Sequence, residues 1–170
     1  MTIKERITVG LVLLCAAGAG CGSSGGGPGD GGATGDTGIA ANGVLTWKEG
    51  GTVHSAPFAA AAMARSSMLD LLQITGAEPT IGLSFGIAVR PPPLVAGSYA
   101  CGGAGYPIVS FTYTGTEGEM FSCAIELTSV GTVTGAHAVG RFSATLGVPG
   151  GGSKVITDGQ FDIPVTVSTL

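Results

Sequence analysis

Acid–base, metal and nucleophilic chemistry draw on few side-chain types, and this chain of 170 residues holds only two histidines, His54 and His137, and four cysteines. His137 stands beside small residues on the polar side of an alternating stretch, and His54 precedes Ser55 in a hairpin-like segment. Neither has the spacing of a metal-ligand or catalytic motif. A Ser-His-Asp set could be drawn from any chain this rich in Ser and Asp, so its mere possibility carries no weight. Glu117 and Glu119 could serve as paired carboxylates, general acid and base, but they share a turn and read as a solvated charge cluster. The glycine runs lack the flanking strand and helix of a phosphate-binding loop. Cys101 and Cys123 are too few for zinc without neighbouring histidines, and Asp30 and Asp36 lack the ligand density that calcium needs. The expectation is therefore no catalytic residue, no metal ligand and no cofactor: the chain is not read as an enzyme.

The chemistry that remains is that of cysteine. Lys4 and Arg6 give a positive start, Ile7 to Ala17 an apolar run too short to span a bilayer permanently, and Gly18-Ala19-Gly20 a small-residue end before Cys21. This pattern resembles a bacterial lipoprotein signal, which implies that Cys21 becomes the acylated first residue of the mature chain. Gly18 stands where Leu or Val is commonest; the alternative is an ordinary secretory signal cut near Ala19. Cys15 follows the bulky Leu14 and leaves with the signal. Gly22, rather than an aspartate, follows Cys21, which points to the outer membrane over the inner. Export leaves Cys101 and Cys123 as an even pair in an oxidising compartment, and they are expected to form a disulfide.

After residue 20 the charges are five basic against ten acidic. Such a balance carries no footprint for nucleic acid. It offers no polybasic patch for anionic lipid either, so attachment to a membrane would rest on the acyl chains at Cys21. A protein partner is open.

The elements that would position these residues divide the chain into a signal over 1–20, a tether over 21–41 and a domain over 42–170. Gly22 to Ala41 holds nine glycines in twenty residues and no aromatic. It cannot bury enough apolar surface to offset the entropy of ordering, and its reach is about 25 Å by the square-root scaling of Gly-rich linkers. In the domain, Val44 to Lys48 and Thr52 to Ala56 form a hairpin across Glu49-Gly50-Gly51, with Trp47 as a core or rim anchor. Phe58 to Ala64 is open between strand and helix, since its alanines favour helix. Met68 to Thr75, Thr80 to Val89, Gly97 to Cys101, Ile108 to Gly115 and Phe121 to Val130 read as strands, and Arg90-Pro91-Pro92-Pro93 as an extended connection. The clearest alternation lies at the end of the chain. Ala138, Gly140, Phe142, Ala144 and Leu146 share one face of a first arm, and Phe161, Ile163, Val165 and Val167 one face of a second. Gly147 to Lys154 joins them, and Asp158-Gly159 supplies a turn or bulge. Pro164 lacks a donor, which places the second arm at an edge or turns the missing N–H outward.

Short strands at this spacing describe an all-β, antiparallel sandwich of about eight strands, immunoglobulin-like in architecture, with a calycin-like barrel as the alternative. Gly140-Arg141-Phe142-Ser143-Ala144-Thr145-Leu146, then Ile156-Thr157-Asp158-Gly159-Gln160-Phe161, and Gly97-Ser98-Tyr99 upstream, resemble strand motifs of a group of secreted bacterial lipoproteins whose activity is uncharacterised. The resemblance implies fold and address, and brings no catalytic residue. The expected role is that of a lipid-anchored envelope protein, a non-catalytic binding or structural β module; the alternative is a carrier that holds a small apolar ligand in a barrel.

Overall fold

Apolar residues recur at every second position, with Gly, Pro and Ser between the runs, and strand follows strand as a result. The computed structural model describes residues 43–116 and 120–170. They form β1 (Val44–Glu49), β2 (Thr52–Ser55), β3 (Phe58–Arg65), β4 (Asp70–Ala77), β5 (Gly82–Val89), β6 (Gly97–Ala100), β7 (Ile108–Tyr113), β8 (Met120–Ser129), β9 (His137–Gly147) and β10 (Ser153–Thr169). The all-β expectation holds, with ten strands where about eight were anticipated. The expected signal and tether, Cys21 among them, and the Glu117 and Glu119 pair lie outside the described residues.

β10 organises the molecule. Its first part lies between β9 and β1, while Val165–Thr169 pairs in parallel with Ala61–Arg65 of β3. One face of the sandwich thus runs β2-β1-β10-β9-β8-β6 and the other β10-β3-β4-β5-β7. Because both share β10, the sheet rolls until it is nearly closed into a barrel, with β6 and β7 at the ends of the strand order. The sandwich and barrel readings meet in this geometry. The β10–β3 pair is the parallel exception in the described pairings.

The interior is filled from both faces. Phe85 and Phe111 come from one, Phe142 and Phe161 from the other, and the neighbouring ring centroids lie 5.2 to 6.4 Å apart. Two glycines make room for two of these rings. Gly140 pairs across the ladder with Phe161, and Gly159 with Phe142. Each ring therefore folds over a glycine on the neighbouring strand, an exchange of bulk that keeps the inner layer dense.

Two local expectations need correction or completion. β3, left open for its alanines, is a strand: Phe58 through Arg65 pair with Ala77 through Asp70, and β10 pairs along its other side. Ala59, Ala61 and Met63 point inward and Ala60 and Ala62 outward; ladders on both sides outweigh the few tenths of a kcal/mol per residue of helix propensity. Pro164 does not mark an edge, since β10 is the central strand. It falls in the gap between Asp162, the last partner of β1, and Val165, the first residue in the β3 ladder. The Val165 N–H donates to Ala136 O on the β9 side, so alternation turns the Pro164 nitrogen toward that gap, where no donor is required.

Candidate functional site

Two polar arrangements are available, one at an end of the barrel and one on its outer face. The first is built where β1 turns into β2 at Gly50-Gly51, whose φ values of 56° and 89° suit the tight turn of a two-residue hairpin. That turn brings Trp47 and His54 into register, and their rings stack at 5.4 Å. The buried Trp47 indole N–H donates to the Tyr113 hydroxyl oxygen at 3.3 Å, and the Tyr113 O–H donates to Glu49 Oε2 at 2.7 Å. Lys154 Nζ lies 3.0 Å from Glu49 Oε1 and 5.2 Å from the Tyr113 ring centroid. On the other flank His54 Nδ1 is 3.2 Å from Glu78 Oε2, while the Ser55 backbone N–H donates to Glu78 Oε1 at 2.7 Å.

Burial pushes the Glu49 carboxyl up, but the Tyr113 hydroxyl, the hydrogen bond and charge of Lys154, and the nearby His54 together hold it below its ordinary value. Tyr113 is pushed up to about 12, by burial first and then by Glu49 and Glu78, against the opposing pull of the Trp47 N–H. A phenol held neutral, hydrogen-bonded to a carboxylate already neutralised by a lysine, is neither nucleophile nor base. The cluster instead ties β7, an end of the strand order, to β1 and β10 across the mouth of the barrel. It is a polar plug.

The second arrangement lies on the outside. Following the ladders, Ser98, Glu126, Arg141, Gln160, Thr46 and Ser55 stand in one row across β6, β8, β9, β10, β1 and β2. Alternation turns this row away from the aromatic interior. Around Arg141 the surface dips into a groove of about 510 Å³ lined by Ser98, Glu126, Ser143, Asp158 and Gln160. The bulge between Ile156 and Gly159 shapes its wall: Asp158 takes a left-handed φ of 51° and meets Lys48 at 2.9 Å. The groove offers hydrogen-bond donors and acceptors on the outer face of the sheet.

The residues singled out from the sequence fall as follows. Cys101 and Cys123 form a disulfide with Cα atoms 5.0 Å apart, which fastens the end of β6 to β8. His54 joins the plug and His137 hydrogen-bonds Asp162 on the exposed face, so the two histidines serve different places. Among the described residues no group of three or more His, Cys, Asp or Glu could hold a metal ion. Sequence reasoning missed Tyr113, Glu49, Glu78 and Lys154 because they join only through the roll of the sheet. The one available signal was Tyr113 itself, an inward position in an alternating strand that carries a hydroxyl. It missed Asp70 too, buried beside Arg65 at 3.3 Å and accepting the Leu94 N–H at 3.0 Å. Family models, curated proteins and solved structures yield no match to this chain.

Proposed function

We propose that the chain is a lipid-anchored envelope protein whose β domain acts without catalysis, as a binding or structural module presented on a glycine-rich tether from Cys21. The signal pattern and tether composition support the anchor and the address in the outer membrane. The filled interior carries the choice of module over carrier: Phe85, Phe111, Phe142 and Phe161 occupy the space an apolar ligand would take. The row through Arg141 is the surface the module offers, and its chemistry suits a polar partner.

Three measurements test this. Cys21→Ala should move the protein from the detergent phase to the aqueous phase, and equal partition of parent and variant would end the anchor reading. An apolar fluorescent probe titrated into the folded protein should show no saturable site; one-to-one binding would replace the module with a carrier. In an envelope pull-down, Arg141→Glu should lose the partner retained by the parent while keeping the parent's melting midpoint.

A further inference from the structure

We infer that the groove around Arg141 is a seat for a free α-amino acid with a polar side chain, its carboxylate held by Arg141 and its ammonium group by Glu126; the inference rests on the reading above that this row is the module's binding surface. Among the described residues every other charged side chain already has a partner. Lys48, Arg65 and Lys154 each meet a carboxylate of their own, the two histidines hold Glu78 and Asp162, and Arg90 lies over the Tyr106 ring, 5.3 Å from its centroid. Arg141 and Glu126 remain, one of each sign, and both line the same groove.

The two are ladder partners on β9 and β8, both exposed on the outer face, yet they make no ion pair with each other. Residues directly opposite in an antiparallel ladder stand about 4.5–5.5 Å apart at Cα, so the two charges lie within the span of one small molecule. Beside them, Ser98 is the ladder partner of Glu126, Gln160 is that of Arg141, and Ser143 follows two residues along β9. None of these three side chains makes a hydrogen bond among the described residues, whereas on the outside of the other sheet Gln73 and Thr75 both engage Ser84. The groove therefore presents a cation, an anion and three uncommitted polar groups together.

Size and charge say what fits. The groove's volume of about 510 Å³ lies within the range of about 300–1,000 Å³ ordinary for small-molecule sites. A second copy laid on this face would leave a hollow of that size in the contact, against the dense packing of interface cores. A simple anion would be repelled by Glu126 and a simple cation by Arg141. A molecule that carries both signs on neighbouring atoms satisfies both. In an α-amino acid the carboxylate and ammonium share one carbon, so a single molecule accepts the Arg141 N–H groups and donates to the Glu126 carboxylate in two charge-assisted bonds. Ser98, Ser143 and Gln160 supply donors and acceptors for its polar side chain. A direct contact between Arg141 and Glu126 at so exposed a site is a weak competitor.

The experiment is an NMR titration of the full chain at neutral pH and low salt with L-asparagine and two analogues. Succinamic acid lacks only the ammonium group, and β-alaninamide lacks only the α-carboxylate. L-Asparagine should bind one to one, and each analogue about tenfold more weakly. Arg141→Gln should weaken asparagine about tenfold and leave β-alaninamide unchanged, while Glu126→Gln should weaken asparagine and spare succinamic acid. Both side chains are exposed, so both variants should keep the parent's melting midpoint. No binding of asparagine, analogues that bind as well as asparagine, or variants that weaken all three ligands alike overturns the inference. A dimer in sedimentation that Glu126→Gln dissociates, without asparagine binding, gives the face to a second copy and overturns it too. The pull-down with Arg141→Glu judges the surface reading separately. If a partner is lost there while asparagine fails to bind, the surface stands and the amino-acid seat falls; asparagine binding in the expected pattern sustains the seat whether or not a partner is retained.

Discussion

Gly159 lies against the ring of Phe142, so close that a methyl group on its Cα would come within 2.6 Å of three ring carbons. The two are ladder partners on β10 and β9, and the ring is buried. Overpacking of this kind costs about 1–3 kcal/mol. Gly159→Ala is expected to destabilise by that amount, and the cost should shrink when Phe142→Ala has already emptied the space. A double-mutant cycle by denaturant unfolding measures the coupling; additive costs would mean that glycine and ring are independent.

The inward side chains of β9 and β10 should dominate stability, and the outward ones should not. Truncating a packed Phe costs about 3–5 kcal/mol once the cavity is counted. Phe142→Ala and Phe161→Ala are expected to lower the denaturant midpoint by a large share of the total. Ser143→Ala and Thr145→Ala, on the other face, should cost under about 1 kcal/mol. Equal shifts for the two classes would break the link between alternation and burial.

What the sequence could reveal was whatever repeats along one strand. The inward set of Ala138, Phe142, Leu146, Phe161 and Ile163 was legible because a period of two has a single buried phase. The Glu49-Gly50-Gly51 turn was legible because positive φ selects glycine. What stayed hidden depends on how strands assemble. Ala59 to Ala64 has helix propensity alone and becomes strand only between β4 and β10. The plug joins Tyr113 to Glu49 across 64 positions of sequence, and no local pattern foretells such a contact. The polar row through Arg141 likewise exists only once six strands are in register.

The disulfide closes a sequence separation of 22 residues. In the chain-entropy model such a link is worth about 3 kcal/mol, a large share of a small domain's stability. Intact mass with and without reductant should differ by two hydrogen atoms in the exported protein, and Cys101→Ser with Cys123→Ser should lower the unfolding midpoint accordingly. Free thiols in the unreduced sample would refute the pairing.

The plug predicts a pH profile with two limbs of opposite sign. Glu49 has its pKa depressed below the ordinary 4.5 in the folded state. Above that value the unfolded and folded carboxyls are both ionised, and the full contribution of Glu49 to stability is present. As pH falls from 4.5 through the folded value, the unfolded chain takes up its proton first, and the contribution is lost. Tyr113 shifts the other way, from 10.0 to about 12. Its contribution is complete below 10.0, where both states hold the proton, and disappears as pH rises through about 12, because only the unfolded chain has released it. Tyrosinate absorbance should show a step near 12 that Tyr113→Phe abolishes. Glu49→Gln should move that step to lower pH, since it removes a carboxylate that holds the phenol neutral, and should flatten the acid limb of the unfolding midpoint. A tyrosinate step unmoved by Glu49→Gln would show that burial alone holds the proton on Tyr113 and that the carboxylate adds nothing to the plug.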